Sequence, residues 1–185
     1  MNITFTRPAG GSTLAVLKRR DGVVIELPGY DRKFRVPHDL AHAVAERELG
    51  MPGGVFGSIA GGVVFGNMRV VGGKLRHDSA DRSKRLLAAN KTSIGIAEVM
   101  AGVLHHAVEH EQPGTAFEHA QQSWGVFSAE PIPWSADQLA AAVRLLAELT
   151  TRFEQAGTLE FAWPDRLTSE IPPAAGARRS RRGRI

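Results

Sequence analysis

A β-hairpin is predicted by residues 14–27, Leu14-Ala15-Val16-Leu17-Lys18-Arg19-Arg20-Asp21-Gly22-Val23-Val24-Ile25-Glu26-Leu27. Apolar residues alternate with other residues in its second half, and Asp21-Gly22 between the two apolar runs favours a tight turn. Ile3 and Phe5 alternate with polar residues in the same way ahead of the hairpin. We therefore expect a small antiparallel sheet in the first quarter of the chain.

Three further runs have strand character. Phe34-Arg35-Val36 predicts a short strand, and Leu159, Phe161 and Trp163 alternate as a final strand that could join the N-terminal sheet. Residues 63–71 resemble a second hairpin with Gly66-Asn67 as its two-residue turn.

Helical patterns dominate the rest of the chain. A first helix is predicted from Pro37, a residue favoured in the first turn, to Gly50, which favours a helix end. Further helices are predicted over residues 81–89, 93–111, 116–123 and 136–156, the last with Ser135 and Gln138 as a capping box. The pattern is that of one α+β domain, residues 1–166, with a small antiparallel sheet packed on several helices.

Composition fits this organisation. The chain has 185 residues, 43% of them hydrophobic, which is enough for one domain with a buried core. Cysteine is absent, which excludes disulfides, thiolate metal ligands and cysteine nucleophiles.

The basic charge is concentrated at the C-terminus. Five arginines lie within the last eight residues, and without residues 171–185 the chain has 18 basic and 19 acidic residues. We interpret residues 167–185 as a disordered basic tail, through which weak nucleic-acid contact is the third function hypothesis. The near-neutral body gives no general argument for nucleic-acid binding.

The N-terminal residues lack a basic segment followed by an apolar one, so a cytoplasmic location is expected. Residues 49–68 are uncharged but contain seven glycines and one proline, and we expect no membrane span there.

The first helix carries the most informative motif, His38-Asp39-Leu40-Ala41-His42. Residues four apart share a helix face, so both imidazoles can reach one metal ion. The pattern is the zinc-peptidase motif HExxH with Asp39 in the place of the glutamate that acts as general base. Glu46, one further turn along, can hydrogen-bond to His42 and fix its tautomer. Asp39 and Glu46 are therefore the predicted catalytic residues.

A second HxxxH pair occurs at His106 and His110. We expect the first helix to pack against the long helix so that all four histidines, His38, His42, His106 and His110, form the metal site, with zinc or another divalent metal as cofactor. Other candidates for a third ligand are His77, His119 and Glu98. Glu109 and His105 are predicted to point away from this face, which makes Glu109 a solvated surface acid.

The segment Val36-Pro37-His38-Asp39-Leu40-Ala41-His42, with Gly54-Val55-Phe56-Gly57 and Gly61 after it, resembles a group of small bacterial proteins of unassigned function that carry a PHDLxH segment. The resemblance covers about residues 36–66 and implies that this segment is the hallmark of the group, without implying an activity. Similarity to zinc peptidases is limited to the HDxxH letters.

The leading hypothesis is a metal-binding, hydrolase-like site around His38 and His42 that acts on an unknown small molecule or protein. The alternative is a non-enzymatic binding or interaction module in which these histidines are structural. Acid–base work by His42 with Asp39 without a metal is a further option.

Overall fold

Five antiparallel strands form one sheet in the computed structural model, which describes residues 1–8, 11–29 and 33–173. The strands are β1 (Asn2–Thr6), β2 (Leu14–Lys18), β3 (Val24–Pro28), β4 (Arg69–Gly72) and β5 (Thr158–Ala162), in the spatial order β4-β3-β2-β1-β5. The predicted hairpin is β2 and β3, and the predicted final strand, β5, pairs with β1. The α+β prediction is confirmed.

The register places the apolar residues of neighbouring strands on one face. Ile3 lies opposite both Leu17 and Phe161, and Leu17 lies opposite Ile25. All four side chains are buried, whereas Glu160, on the other face, is exposed. The strict alternation of the sequence therefore fixes which face of the sheet meets the core.

Five helices follow within the described residues: α1 (His38–Glu48), α2 (Val55–Gly61), α3 (Ser79–Glu109), α4 (Ala116–Trp124) and α5 (Ala136–Ala156). Short 3-10 turns cover Pro113–Thr115 and Asp165–Leu167. The buried face of the sheet joins the buried residues of α1, α3 and α5 in one core. Residues 40–46 of α1 are buried without interruption, because this helix is enclosed on several sides.

Three local predictions were wrong. The glycine-rich segment, residues 49–68, contains α2. Of the predicted second hairpin over residues 63–71, the structure has only the turn at Gly66-Asn67 and the strand β4. Residues 34–36 are not a strand. The helices predicted at 81–89 and 93–111 are one continuous helix, α3, because residues 90–92 contain neither glycine nor proline to interrupt it.

The capping prediction for α5 is confirmed in detail. The Ser135 hydroxyl accepts a hydrogen bond from the Gln138 backbone N–H, and the Gln138 side chain accepts one from the Ser135 N–H. Gly157, in the left-handed conformation, ends the helix and leads directly into β5.

The folded part of the chain extends past residue 166. Leu167 is buried, and the Ser169 hydroxyl donates a 2.6 Å hydrogen bond to the carbonyl of Pro52 and accepts one from Asn90. Residues 167–173, which were predicted to belong to the tail, therefore pack against α2 and α3. Residues 174–185, which carry the five arginines, lie outside the described residues, and nucleic-acid contact through them stays a prediction.

Among the described residues, none of the helices has both the length and the apolar character needed to cross a membrane.

Candidate metal centre

Helix α1 presents His38, His42 and Glu46 at intervals of one turn along a single face. Pro37, with extended backbone angles, precedes the helix, and Asp39 lies in its first turn, where the helix dipole favours an acidic side chain. This face meets α3, with which α1 makes its most extensive contact. The three side chains therefore lie at a helix–helix boundary.

His42 is the central residue of the cluster. Its side chain is 4% exposed and is held from both sides by carboxylates. Nδ1 lies 3.3 Å from Oε1 of Glu46, and Nε2 lies 3.0 Å from Oε2 of Glu98. The predicted contact between His42 and Glu46 is thus present.

Glu46 is completely buried and serves a second element as well. Its carboxylate accepts hydrogen bonds from the backbone N–H groups of Val55 and Phe56, each at 2.9 Å, and of Gly57 at 3.4 Å. These are N–H groups of the first turn of α2, which has no capping side chain of its own. Glu46 therefore joins α1 to α2 and holds a fixed position beside His42.

Gly54 shows how tightly this junction is built. A Cβ atom at this position would lie 2.4 Å from both Cδ and Oε2 of Glu46. Only glycine lets the start of α2 approach the carboxylate this closely. The glycine-rich segment is thus explained in part by a helix start packed on a buried acid.

His38 and Glu98 complete the cluster on its solvent side. His38 Nε2 lies 3.3 Å from Oε1 of Glu98, and the rings of His38 and His42 meet edge to face with 4.8 Å between centroids. The His38 and Glu98 side chains are 42% and 59% exposed, respectively. One ligand atom from each of His38, His42 and Glu98 lies within 4.8 Å of the others, so the three groups could hold a metal ion. Within the described residues, no other set of three such groups meets this distance.

The carboxylates determine the electrostatics of His42. Burial is the largest single influence and disfavours the imidazolium, but the hydrogen bonds and charges of Glu46 and Glu98 outweigh it and raise the pKa of His42 to about 9. The hydrogen bond to His42 lowers the pKa of Glu98 to about 2. Burial raises the pKa of Glu46, an effect that His42 opposes.

Asp39 belongs to the same electrostatic environment. Burial raises the pKa of its carboxyl group, while the charges of His42 and His38 act in the opposite direction. The Asp39 carboxylate lies beside Gly29, which follows β3. A Cβ atom added at Gly29 would lie 3.5 Å from Oδ2 of Asp39. The catalytic roles predicted for Asp39 and Glu46 stay predictions; the contacts of Glu46 are those of a positioning residue.

His106 and His110 do not join this cluster. Both side chains are exposed. The ring of His106 contacts the rings of His110 and His119, with centroid distances of 4.5 and 5.5 Å. Of the candidates for a third ligand, Glu98 is the one that the structure places beside His38 and His42. His77 and His119 are not in the group.

The opposite orientation was predicted for His105 and Glu109, and that prediction was wrong. His105 Nε2 lies 3.1 Å from the carbonyl oxygen of Val36, and Glu109 accepts hydrogen bonds from the backbone N–H groups of Arg35 and Val36. Spacings of seven and four residues put Glu98, His105 and Glu109 on one stripe of α3. This stripe, not that of His106, faces the segment that leads into α1.

The misassignment of this face has a physical cause. Large apolar residues such as Ile96 and Val99 suggest a buried face that borders His106, but both are only partly buried. Ala97 and Ala101 are completely buried, as are Met100 and Leu104. Small side chains let two helices approach closely. Two alanines four residues apart are therefore a sequence signal that could have located the packed face of α3.

Comparison with protein-family models, with curated proteins and with solved structures gives no match for this chain.

Proposed function

We propose that the protein binds a divalent transition metal, with zinc the best fit, through His38, His42 and Glu98 and uses it in hydrolase-like chemistry. The observation that carries the proposal is that Nε2 of both histidines converges on the same carboxylate, at 3.0 and 3.3 Å. Two imidazoles and one glutamate form a ligand set used by catalytic zinc sites. The hydrogen bonds of the metal-free cluster hold these donors together ahead of binding.

The carboxylate behind His42 supports the same proposal. Histidines that bind metals usually donate their second N–H to a carboxylate or carbonyl, which fixes the tautomer and the ring orientation. Glu46 occupies this position at Nδ1 and is itself held by the N-terminus of α2. Nε2 of His42 is then the nitrogen that faces Glu98 and would bind the ion.

The arrangement also provides access. Three protein ligands leave a position free on a tetrahedral ion, and the exposure of His38 and Glu98 places the cluster at the surface. Zinc in such a site supplies Lewis acidity and lowers the pKa of water. Asp39, next to His38 in the chain, is the carboxylate that we assign as proton acceptor, although it is one methylene shorter than the glutamate of HExxH.

The metal-free network favours a second candidate, a non-enzymatic module. An imidazolium at His42 between two carboxylates already satisfies both ring nitrogens and ties α1 to α2 and α3. In that case the cluster is a structural junction and binds no metal.

Metal analysis of the purified, untagged protein separates the two candidates. Wild type equilibrated with zinc or cobalt and freed of excess ion should retain one equivalent, and the cobalt form should show the visible absorption of a low-coordinate site. Glu98→Gln and the double variant His38→Ala/His42→Ala should lose the ion. The matched control is His106→Ala/His110→Ala, which removes an exposed HxxxH pair without touching the cluster. Equal metal content in the site and control variants would overturn the proposal.

A further inference from the structure

A cavity of about 390 Å³ lies near the N-terminal end of α3, far from the candidate metal centre. Its walls are the turn between β2 and β3, the end of α2, the first turn of α3 and the C-terminal segment 165–171. Arg82 in its wall and Glu98 are 16 residues apart on one helix, which corresponds to about 24 Å. The cavity is therefore a separate site.

Positive charge dominates this cavity. Four arginines and two aspartates line it: Arg19, Arg20, Arg76, Arg82, Asp21 and Asp165. Both aspartates are already paired, Asp21 with Arg19 and Asp165 with Arg20 at 2.8 Å. The Arg82 guanidinium forms no ion pair or side-chain hydrogen bond with a described residue, and its charge acts only at longer range on Asp78, whose pKa it helps to lower. Arg76 pairs with Asp78, just outside the lining, at 3.1 Å, so Arg82 is the lining arginine whose charge has no ion-pair partner among the described residues.

Arg19 is the second observation that points to a ligand. Its side chain is only 6% exposed, and its Nε and Nη2 atoms are both engaged by the carboxylate of Asp21. Nη1 is enclosed by protein and has no hydrogen-bond partner among the described residues. A buried guanidinium nitrogen carries two N–H donors, and in native proteins such donors are normally satisfied. An oxyanion in the cavity is an acceptor of the right charge.

The backbone around the cavity suits an anion as well. The first turn of α3, a helix of 31 residues, contributes Ser79 and Arg82 to the wall, and a helix N-terminus favours negative charge. Gly62 has a φ of +121°, a conformation that side chains disfavour, and a Cβ atom there would lie 3.9 Å from Arg19 Nη2. Glycine at this position is therefore required by the backbone conformation.

We propose that this cavity binds the phosphoryl group of a small molecule. Arginine guanidinium groups bind phosphate oxygens through paired, charge-assisted hydrogen bonds, and arginines that line one cavity suit a phosphoryl dianion better than the single charge of a carboxylate. The cavity is larger than an inorganic phosphate requires and falls within the size range of small-molecule sites. Ala60 and Ile171 add apolar surface for the remainder of such a ligand.

Titration calorimetry of the full-length protein with ribose 5-phosphate, and with ribose as the uncharged control, tests the proposal at constant ionic strength. Wild type should bind ribose 5-phosphate and inorganic phosphate but not ribose. Arg82→Gln and Arg19→Gln should each weaken binding roughly tenfold or more, as expected for loss of a charged hydrogen bond. Arg144→Gln, an exposed arginine on α5, should have no effect. Chelator should not change these affinities, because the metal centre is not involved.

Several results would overturn the proposal. They are absence of phosphate binding by wild type, undiminished binding by Arg82→Gln, and equal weakening by Arg144→Gln. Arg82→Gln decides the outcome if Arg19→Gln does not fold, because Arg82 is not tied to Asp21. Binding of single-stranded RNA that Arg82→Gln weakens, without binding of either phosphate compound, would assign the cavity arginines to a nucleic-acid surface and reject the small-molecule site.

Discussion

Glu46 Oε1 lies 3.3 Å from Nδ1 of His42, and the same carboxylate caps the N-terminus of α2. One buried acid thus fixes the position of a helix and the orientation of the most buried histidine of the cluster. The Glu46→Gln substitution tests both roles, because glutamine keeps the size but replaces one acceptor oxygen with a donor NH₂ group. We expect the free energy of unfolding to fall by about 1–3 kcal/mol in metal-free protein. Zinc affinity should fall about 10–100-fold.

Urea unfolding in chelator and zinc titration measure these two effects separately. Glu48→Gln is the control, since Glu48 is partly exposed and, among the described residues, forms an ion pair only with its neighbour Arg47. A stability loss without any change in zinc affinity would leave Glu46 a purely structural residue. No loss of stability would contradict the capping role.

Gly54→Ala tests the close approach of α2 to the same carboxylate. The new Cβ atom would lie 2.4 Å from Glu46 Cδ, so either the acid or the start of α2 has to move. We expect a loss of stability of about 1–3 kcal/mol, the usual range for overpacking. Gly102→Ala is a matched control within α3, where a Cβ atom meets nothing within 4 Å. Gly102→Ala should stabilise the protein by up to about 1 kcal/mol. Similar effects of Gly54→Ala and Gly102→Ala on thermal unfolding would refute the steric argument.

The parts of the fold that the sequence predicted are those with a local physical signal. Alternation at Ile3, Phe5 and Ile25 identified the buried face of the sheet, and Ser135 with Gln138 located the start of α5 to the residue. Such signals depend on chain neighbours alone. They are therefore readable without knowledge of the tertiary structure.

The parts that were missed depend on contacts between distant residues. Helix α2 is short and rich in glycine, and its start is stabilised by Glu46, nine to eleven residues earlier in the chain. Glu98 joins His42 across 56 residues, and nothing in its local sequence distinguishes it from other exposed acids of α3. Local sequence identified the His38 and His42 pair but did not single out their partner, because the rotation of α3 about its axis depends on the packing of its whole buried face, Met100 and Leu104 included.

The pH dependence of stability in metal-free protein tests the charge state of His42. The groups around it are His38, Asp39 and Glu46 of α1 and Glu98 of α3. The pKa of His42 in the folded state is about 9, against the ordinary histidine pKa of 6.5, so between these values the folded state binds more protons than the unfolded state. The stabilisation is therefore fully present below pH 6.5 and is lost as the pH rises through about 9.

Urea unfolding at pH 6 and at pH 9 in the presence of chelator measures how the free energy of unfolding changes with pH. His42→Gln should be less stable at pH 6 and should lose most of the decline in stability between the two values. On the acid side, the low pKa of Glu98 predicts a contribution that is present above pH 4.5 and lost as the pH falls toward 2. Equal slopes for wild type and His42→Gln above pH 6.5 would show that His42 is neutral in the folded protein.

Zinc binding should release a proton. Below pH 9 the imidazole of His42 carries protons on both nitrogens, and a metal at Nε2 requires that nitrogen to be unprotonated. The hydrogen bond to Glu46 keeps the second proton on Nδ1 of His42, so about one proton per zinc is expected from His42 at pH 7.5. Calorimetry in buffers of different ionisation enthalpy measures this number directly. The value should be unchanged in His106→Ala/His110→Ala. If the pH dependence of stability shows that His42 is protonated before binding, proton release near zero would exclude His42 as a ligand.

Truncation locates the end of the folded domain. Ending the chain after Arg166 removes buried Leu167, whose carbonyl accepts a 3.2 Å hydrogen bond from Trp163, and it also removes the hydrogen bonds of Ser169. We expect a loss of at least about 2 kcal/mol in the free energy of unfolding from the apolar burial alone. Ending the chain after Pro173 keeps all of these contacts and should change stability by no more than about 0.5 kcal/mol. The comparison uses urea unfolding of the two truncated proteins and full-length protein. If truncation after Arg166 were as harmless as truncation after Pro173, the contacts of residues 167–173 would contribute nothing measurable to the fold.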